Sequence, residues 1–189
     1  MECVIRPAAS EDCDHIMALI REIAEFHHLL DEVTINSQVL KADGFGEDPF
    51  FKCILAELPA ETGKPVKPPL AASYFFGYCF NRGRSVYLEN LYVVPEFRGK
   101  GIGTKLLGQV AEAALAAGCV EMHALMTMDW NSPAKGFYLN LGAQDLTQSE
   151  ERHCMELDRE ALQRLAQRGK HSSRGALGPS SGQAQKPEP

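Results

Sequence analysis

A strand that runs into a glycine-rich turn and out again as a helix constrains this 189-residue chain more than any other feature. Residues 84–94, Arg-Ser-Val-Tyr-Leu-Glu-Asn-Leu-Tyr-Val-Val, are dense in β-branched and aromatic side chains and predict a strand. Arg98-Gly99-Lys100-Gly101-Ile102-Gly103-Thr104 follows, and an Ala- and Leu-rich stretch from about 103 to 117, closed by Gly118, predicts a helix. Glycines at such a junction let backbone N–H groups approach an anion without a Cβ in the way. The helix N-terminus adds unpaired donors and partial positive charge. A phosphate or pyrophosphate is the natural guest. Spacing narrows the choice: no register of Gly99, Gly101 and Gly103 supplies G-x-x-x-x-G-K-[ST], and Thr104 stands where a G-x-G-x-x-G fingerprint needs its last glycine.

The rest of the chain interleaves strands and helices. A short strand is predicted over Cys3 to Arg6, then a helix capped by Ser10, whose Cys13, Ile16, Leu19, Ile20 and Ile23 keep one apolar face. A polar turn and the aromatic segment Gly44 to Phe50 lead to strands at 51–58 and 70–79, with the Pro- and Gly-rich loop 59–69 between them. Beyond Gly118 the pattern gives a strand over 119–127, a helix opening at Asn131-Ser132-Pro133, and two strands around 144–158. This alternation predicts an α/β or α+β sheet domain over residues 1–167. Residues 168–189 hold four Gly, three Pro, four Ser and a single large aliphatic, Leu177. Such a segment cannot bury enough apolar surface to offset its ordering entropy, so a disordered tail is expected there.

Charge is unevenly spread. The formal net charge is −6, and without the tail 15 basic groups face 24 acidic ones. Residues 1–48 carry eleven acids against three bases, whereas 82–105, which include the glycine turn, carry five bases against two acids. An acidic body with a basic strip suits a cationic small substrate beside an anion, and it argues against non-specific nucleic-acid binding. The six cysteines, at 3, 13, 53, 79, 119 and 154, include no C-x-x-C and sit mostly in apolar contexts. They read as free thiols in a reducing, cytoplasmic setting, with no metal site signalled. The first residues do not resemble a signal peptide, and no apolar run approaches the roughly 20 residues of a membrane span.

The turn also reads as R-x-x-G-x-G, set in Val93-Val94-Pro95-Glu96-Phe97-Arg98-Gly99-Lys100-Gly101-Ile102-Gly103. That stretch resembles the coenzyme A pyrophosphate signature of the Gcn5-related N-acetyltransferases. Further stretches are similar to the diamine acetyltransferases, which include spermidine/spermine acetyltransferase and its thialysine-acetylating relative. They are Ile5-Arg6-Pro7, Ala42 to Gly46 with Pro49-Phe50, Tyr87-Leu88-Glu89, Asp129-Trp130-Asn131, Phe137-Tyr138 and Leu141 to Leu146. Gly142-Ala143-Gln144-Asp145-Leu146-Thr147 looks nearer to the thialysine branch, and the likeness runs from about Val4 to Leu162.

The resemblance implies a mixed, mostly antiparallel central sheet flanked by helices, a homodimer, and direct transfer of acetyl from acetyl-CoA to a small-molecule amine. It places Leu91, Tyr92 and Val93 against the thioester and pantetheine arm, and Arg98, Gly99, Lys100, Gly101, Ile102, Gly103 and Thr104 around the pyrophosphate. Asn131, Ser132, Pro133 and Ala134 correspond to further coenzyme contacts, with Asn131 doubling as a helix cap. An aliphatic ammonium of pKa ~10.4 must lose a proton before it attacks, and Glu89 is the candidate that attracts it and receives or relays that proton. Tyr138 matches the family's general acid for the departing thiolate. His27, His123 and Glu150 correspond to substrate-side positions; an ordinary helix-end role for His27, a solvent-facing strand role for Glu89 and a core role for Tyr138 remain open.

The chain departs from the family around the amine. Asn90 follows Glu89 where the family has a second acid, Cys79 to Arg82 replaces an Asp-Pro-Trp loop, His27 replaces a glutamate, and Glu151-Arg152 replaces Gly-Trp. Losing two or three anionic partners at ~1 kcal/mol or more each lowers affinity for a long polycation by orders of magnitude. The expected substrate is a shorter or lysine-like amine. Two alternatives stand beside it: a coenzyme-binding interaction module with little activity, and a peptide or protein N-acetyltransferase.

Overall fold

The computed structural model describes residues 2–58, 70–124, 127–149 and 157–172. The chain divides into two compact units, Met1–Lys135 and Gly136–Pro189. In the first, β1 (Val4–Pro7), β2 (Lys52–Glu57), β3 (Leu70–Cys79), β4 (Gly83–Val93) and β5 (Glu121–Ala124) form one sheet in that order. The first three pairings are antiparallel and β4–β5 is parallel. A parallel neighbour demands a crossover, and α3 (Ile102–Ala116) supplies it. The mixed, mostly antiparallel sheet with flanking helices is the expected fold. Gly118, in the left-handed region at φ 74°, closes α3 with its N–H on the Leu115 carbonyl, as the sequence predicts.

Both faces of the sheet are covered. On β2 the four consecutive residues Cys53, Ile54, Leu55 and Ala56 are all buried, which a strand permits only when neither face meets water. One core joins Cys13, Ile16 and Leu19 of α1 (Cys13–Phe26) and Leu40 of α2 (Ser37–Phe45) to Cys53, Leu55, Ala71 and Tyr92. In that core the burial of Cys53 pushes its thiol up to about 12. Helix α3 lies across β1 to β4 and buries Ile102, Leu106 and Val110 almost completely. The five cysteines among the described residues, Cys3, Cys13, Cys53, Cys79 and Cys119, are free.

Three local expectations are corrected. Ser10 does not cap α1; it opens a 3₁₀ turn, Ser10–Asp12, and Asp12 organises the segment instead. The Asp12 carboxylate accepts the Ala9 N–H at 2.7 Å and the Arg6 guanidinium at 2.7 and 2.9 Å, while Arg6 also donates to Glu57 at 2.7 Å. A charge-assisted fork outcompetes a neutral hydroxyl, and the Arg6 hydrogen bond holds the Asp12 carboxyl below its usual range. Helix α2 was absent from the sequence pattern because only Leu40 among its nine residues is buried, too few to show a period. Its start is nonetheless clear: the Asn36 side chain accepts the N–H groups of Gln38 and Val39, each at 3.0 Å.

The third correction concerns the strands expected around 144–158. Leu146–Ser149 form a short helix, α5, after α4 (Ser132–Asn140), with the Asp145 carboxylate accepting the Thr147 N–H at 3.1 Å. Residues 150–156 lie outside the described residues, as does the expected loop 59–69. Helix α6 runs from Arg159 to Ser172, so the tail boundary expected at 168 falls inside a helix, and 173–189 are outside the description. Among the described residues no helix is long and apolar enough to cross a membrane.

Candidate active site

The glycine turn is held by its own cations. A 3₁₀ turn, Pro95–Phe97, leads from β4 to Arg98, whose Nε donates to the Val93 carbonyl at 2.9 Å. Lys100 folds back to donate Nζ–H to the Glu96 carbonyl at 2.8 Å and lies over the Phe97 ring. Between and after them Gly99 (φ 72°) and Gly101 (φ 77°) take left-handed conformations that a side chain would strain, and Gly101 is the N-cap of α3. The first bond of the helical ladder runs from Lys105 N–H to the Gly101 carbonyl at 3.2 Å, so the amides of Ile102, Gly103 and Thr104 have no acceptor within the helix. These amides, together with the helix dipole, make an anion cradle of backbone.

Strand β4 leads into this cradle past the end of its described pairing with β5. Its pairing with β5 spans Ser85 to Leu88 only, and from Glu89 to Val93 no described strand bonds to it on that side. At the point where the pairing stops, the register with β3 jumps: Tyr74 faces Leu88 and Ser73 faces Asn90, which leaves Glu89 as the extra residue of a β-bulge. Bulges re-aim side chains beside sites, and Glu89 is exposed here. Leu91, Tyr92 and Val93 thus share one strand with Glu89 upstream and the glycine turn downstream. Tyr92 is buried beneath them; burial first, and Glu22 second, hold its phenol above its usual pKa.

Two side-chain clusters flank that strand, and the sequence announced neither. Across β3, β4 and β5, Phe75 stacks on Tyr87 (5.2 Å, 8°) and Tyr87 on His123 (4.9 Å, 20°). His123 Nε2 lies 3.1 Å from Glu121 Oε1, and the other oxygen of Glu121 accepts from Arg82 at 3.0 Å. Hydrogen bonding by His123, then by Arg82, holds the Glu121 carboxyl below its usual range. The alternation Glu121-x-His123 on a strand was the available signal, since i and i+2 share a face. Arg82, at the end of the segment that replaces the family's Asp-Pro-Trp loop, is thereby paired with Glu121.

At the end of α1, the Phe26, His27 and Trp130 rings meet at 5.4 to 5.8 Å, and the Arg98 guanidinium lies 5.2 Å over Phe26 and 5.8 Å over Tyr92. Arg98 therefore braces the turn against aromatic rings. Burial pushes the His27 imidazole below its usual pKa, favouring its neutral form. The Asp129–Lys135 ion pair and the Asn131 side chain, which accepts the Ala134 N–H at 3.3 Å, fix the start of α4 with Ser132 and Pro133 in its first turn. The expected cap at Asn131 is present.

Tyr138 belongs to the second unit, on α4, with its ring edge-on to Phe137 at 5.3 Å. Burial raises its phenol above the usual value, so it keeps its proton through the neutral range. Glu150 lies outside the described residues.

Comparison with known proteins agrees with this geometry. The profile of the Acetyltransferase (GNAT) family matches residues 70–143, which span β3, the glycine turn and α4. A thialysine N-epsilon-acetyltransferase of Bos taurus is 46% identical over 165 residues, covering 86% of this chain and 96% of the relative. A spermidine/spermine N(1)-acetyltransferase-like protein 1 of Homo sapiens is 34% identical over 163 residues, 86% of this chain but 23% of that longer protein. Among solved structures, an integron cassette protein from the mobile metagenome of V. cholerae superposes with a TM-score of 0.66 at 22% identity, over 88% of this chain and 98% of that one. With a relative this similar along nearly its whole length and the family's turn in place, the chain belongs to the GNAT acetyltransferases, in the branch of the diamine and thialysine enzymes.

Proposed function

We propose that this protein transfers acetyl from acetyl-CoA to the primary amine of a small, lysine-like molecule such as thialysine. The observation that carries the reading is the course of β4 from the bulged Glu89, where its pairing with β5 among the described residues has ended, into a backbone anion cradle. An extended arm can add along that stretch as a strand would, with its anionic end at Gly99 to Thr104 and its acyl end toward Glu89. Acetyl-CoA supplies the activated acetyl thioester. The chain supplies the rest: backbone N–H groups of Leu91 to Val93 polarise the carbonyl, and Glu89 draws in the ammonium and lowers the cost of deprotonating it. Tyr138, kept protonated by burial, is the acid for the departing thiolate, and Asn131 to Ala134 add contacts to the coenzyme.

The amine side supports a short substrate over spermine. Asn90 and His27 contribute no negative charge, and Glu121 is engaged by His123 and Arg82. A lysine-like amine bearing its own carboxylate needs one anionic contact, which Glu89 gives. We further propose a cytoplasmic homodimer, a compartment that free thiols at Cys3, Cys13, Cys53, Cys79 and Cys119 favour.

The test is release of free coenzyme A thiol with thialysine, lysine, putrescine, spermidine, spermine and short peptides. The expected order places thialysine first and spermine at least tenfold lower in kcat/KM. Coenzyme binding with no turnover of any amine would replace the enzyme with a binding module. Tyr138→Phe is expected to lower kcat about 100-fold while leaving coenzyme affinity within twofold, the usual scale for losing a general acid; unchanged turnover removes that role.

A further inference from the structure

We propose that His123, oriented by Glu121, is the base that takes the proton from the amine. The proposal deepens the acetyltransferase reading and rests on it. A carboxylate of ordinary pKa ~4.3 lies about six units below an aliphatic ammonium at ~10.4, whereas an imidazole at ~6.5 lies about four units below and is the better matched acceptor at neutral pH. The amine therefore meets two groups of different aptitude: a carboxylate suited to attract it and an imidazole suited to deprotonate it.

The geometry gives His123 what a catalytic imidazole requires. Nε2 stands 3.1 Å from a carboxylate oxygen of Glu121, so Nε2 carries the hydrogen and Nδ1 is the basic atom. The ring plane is fixed by stacking on Tyr87, itself stacked on Phe75. Glu121 is in turn held through its second oxygen by Arg82, whose side chain is 60% exposed and so brings a largely screened charge. The groups facing the imidazole are thus Tyr87 from β4, Glu121 from β5, and Arg82 behind Glu121 from the β3–β4 turn. His123 retains 27% side-chain exposure, enough for a small molecule to reach it.

Position along the sheet completes the argument. Tyr87 and His123 are register partners, and the bulged Glu89 comes two residues further along β4. With strands ~4.8 Å apart and a rise of ~3.3 Å per residue, the two Cα atoms are about 8 Å apart, a gap that an ammonium can bridge. The step balances simply. An ammonium N–H bond breaks and an Nδ1–H bond forms; the imidazolium, stabilised by Glu121, later gives its proton to water.

Initial rates with thialysine and acetyl-CoA across pH 5.5–9.5, for wild type, His123→Gln, His123→Phe and Glu121→Gln, decide the matter. Glutamine keeps a hydrogen-bond donor for Glu121, and phenylalanine keeps the stack on Tyr87; thermal melts identify any variant that fails to fold. Wild-type kcat is expected to rise along a limb with an apparent pKa in the histidine range. Both His123 variants should lose that limb and about 100-fold in kcat, with KM for acetyl-CoA within twofold, the span of a general base. Glu121→Gln should lose about tenfold in kcat, because an amide no longer fixes which ring nitrogen of His123 carries the hydrogen. A folded His123→Gln or His123→Phe with wild-type kcat and an unchanged limb overturns the proposal while leaving the acetyltransferase standing. Absence of turnover by the wild type overturns both.

Discussion

The two ends of β4 are built on opposite principles. Beyond Val93 the glycine turn, proposed to hold the coenzyme, is built from backbone: glycines at positive φ and helix amides line it, and the Arg98 and Lys100 side chains fold back to brace it. Around Glu89 the face proposed for the amine is built from side chains of β4, β5 and the β3–β4 turn, with Tyr87, His123, Glu121 and Arg82 fixed by one another. A backbone cradle tolerates changes in the side chains around it and keeps one ligand. A side-chain face can be rebuilt residue by residue, and this chain departs from the family's pattern at Asn90, at Cys79 to Arg82 and at His27 while its turn keeps the family's spacing.

The sharpest way to break the comparison is to put a side chain into the cradle. Gly101→Val places a β-branched residue at φ 77°, where no neighbour lies within 4 Å of the new Cβ, so the penalty is conformational and not a clash. The left-handed strain costs about 1–2 kcal/mol, and in the proposed coenzyme mode the Cβ would crowd the anion. Calorimetry should show coenzyme affinity falling about 100-fold, roughly 3 kcal/mol, with the strain itself read as lowered thermal stability. If Gly101→Val binds coenzyme as wild type does, the turn is not a backbone cradle.

A smaller effect, confined to the other end, is expected from Gly77→Ala. The added Cβ would sit 2.5 Å from the Tyr87 ring, and that ring lies between Phe75 and His123 and has little freedom to move aside. The stack, and with it His123, must shift. Since sub-ångström misplacement of a reacting group is costly, kcat/KM for the amine should fall about tenfold with coenzyme affinity unchanged. Equal losses for both substrates would show that the two ends of β4 are not independent.

The same contrast explains what the sequence could reveal. Gly99, Gly101 and Gly103 are legible because the chemistry of a turn is local, settled within a few residues by φ and by the helix that follows. The strands β2, β3 and β4 were legible from their apolar and aromatic density. The bulge at Glu89 was not, because it exists only in the register against Ser73 and Tyr74. Arg82 and Glu121 are 39 positions apart, as Arg6 and Glu57 are 51, and nothing in either neighbourhood names its partner. Helix α2 escaped because one buried leucine does not make a period. Family likeness gave Tyr138 its acid role and His123 only a substrate-side position; the structure adds the burial that raises the Tyr138 phenol and the carboxylate beside the imidazole.

Asn131 offers the smallest and most discriminating test, because one side chain is read both as a helix cap and as a coenzyme contact. Its Oδ1 accepts the Ala134 N–H at 3.3 Å, a long bond, and Asn131→Ala should cost about 1 kcal/mol of stability or less. Asn131→Asp keeps an equally good capping oxygen and adds a negative charge at the helix N-terminus, so its thermal midpoint should match or exceed that of wild type. The same charge would face an anionic coenzyme, and affinity should fall by about three- to tenfold and recover with added salt. Asparagine that serves only as a cap predicts something else: Asn131→Ala less stable, Asn131→Asp unchanged, and coenzyme binding equal in all three. Melting curves and coenzyme titrations on the two variants therefore separate a role that the α4 backbone needs from one that the ligand needs.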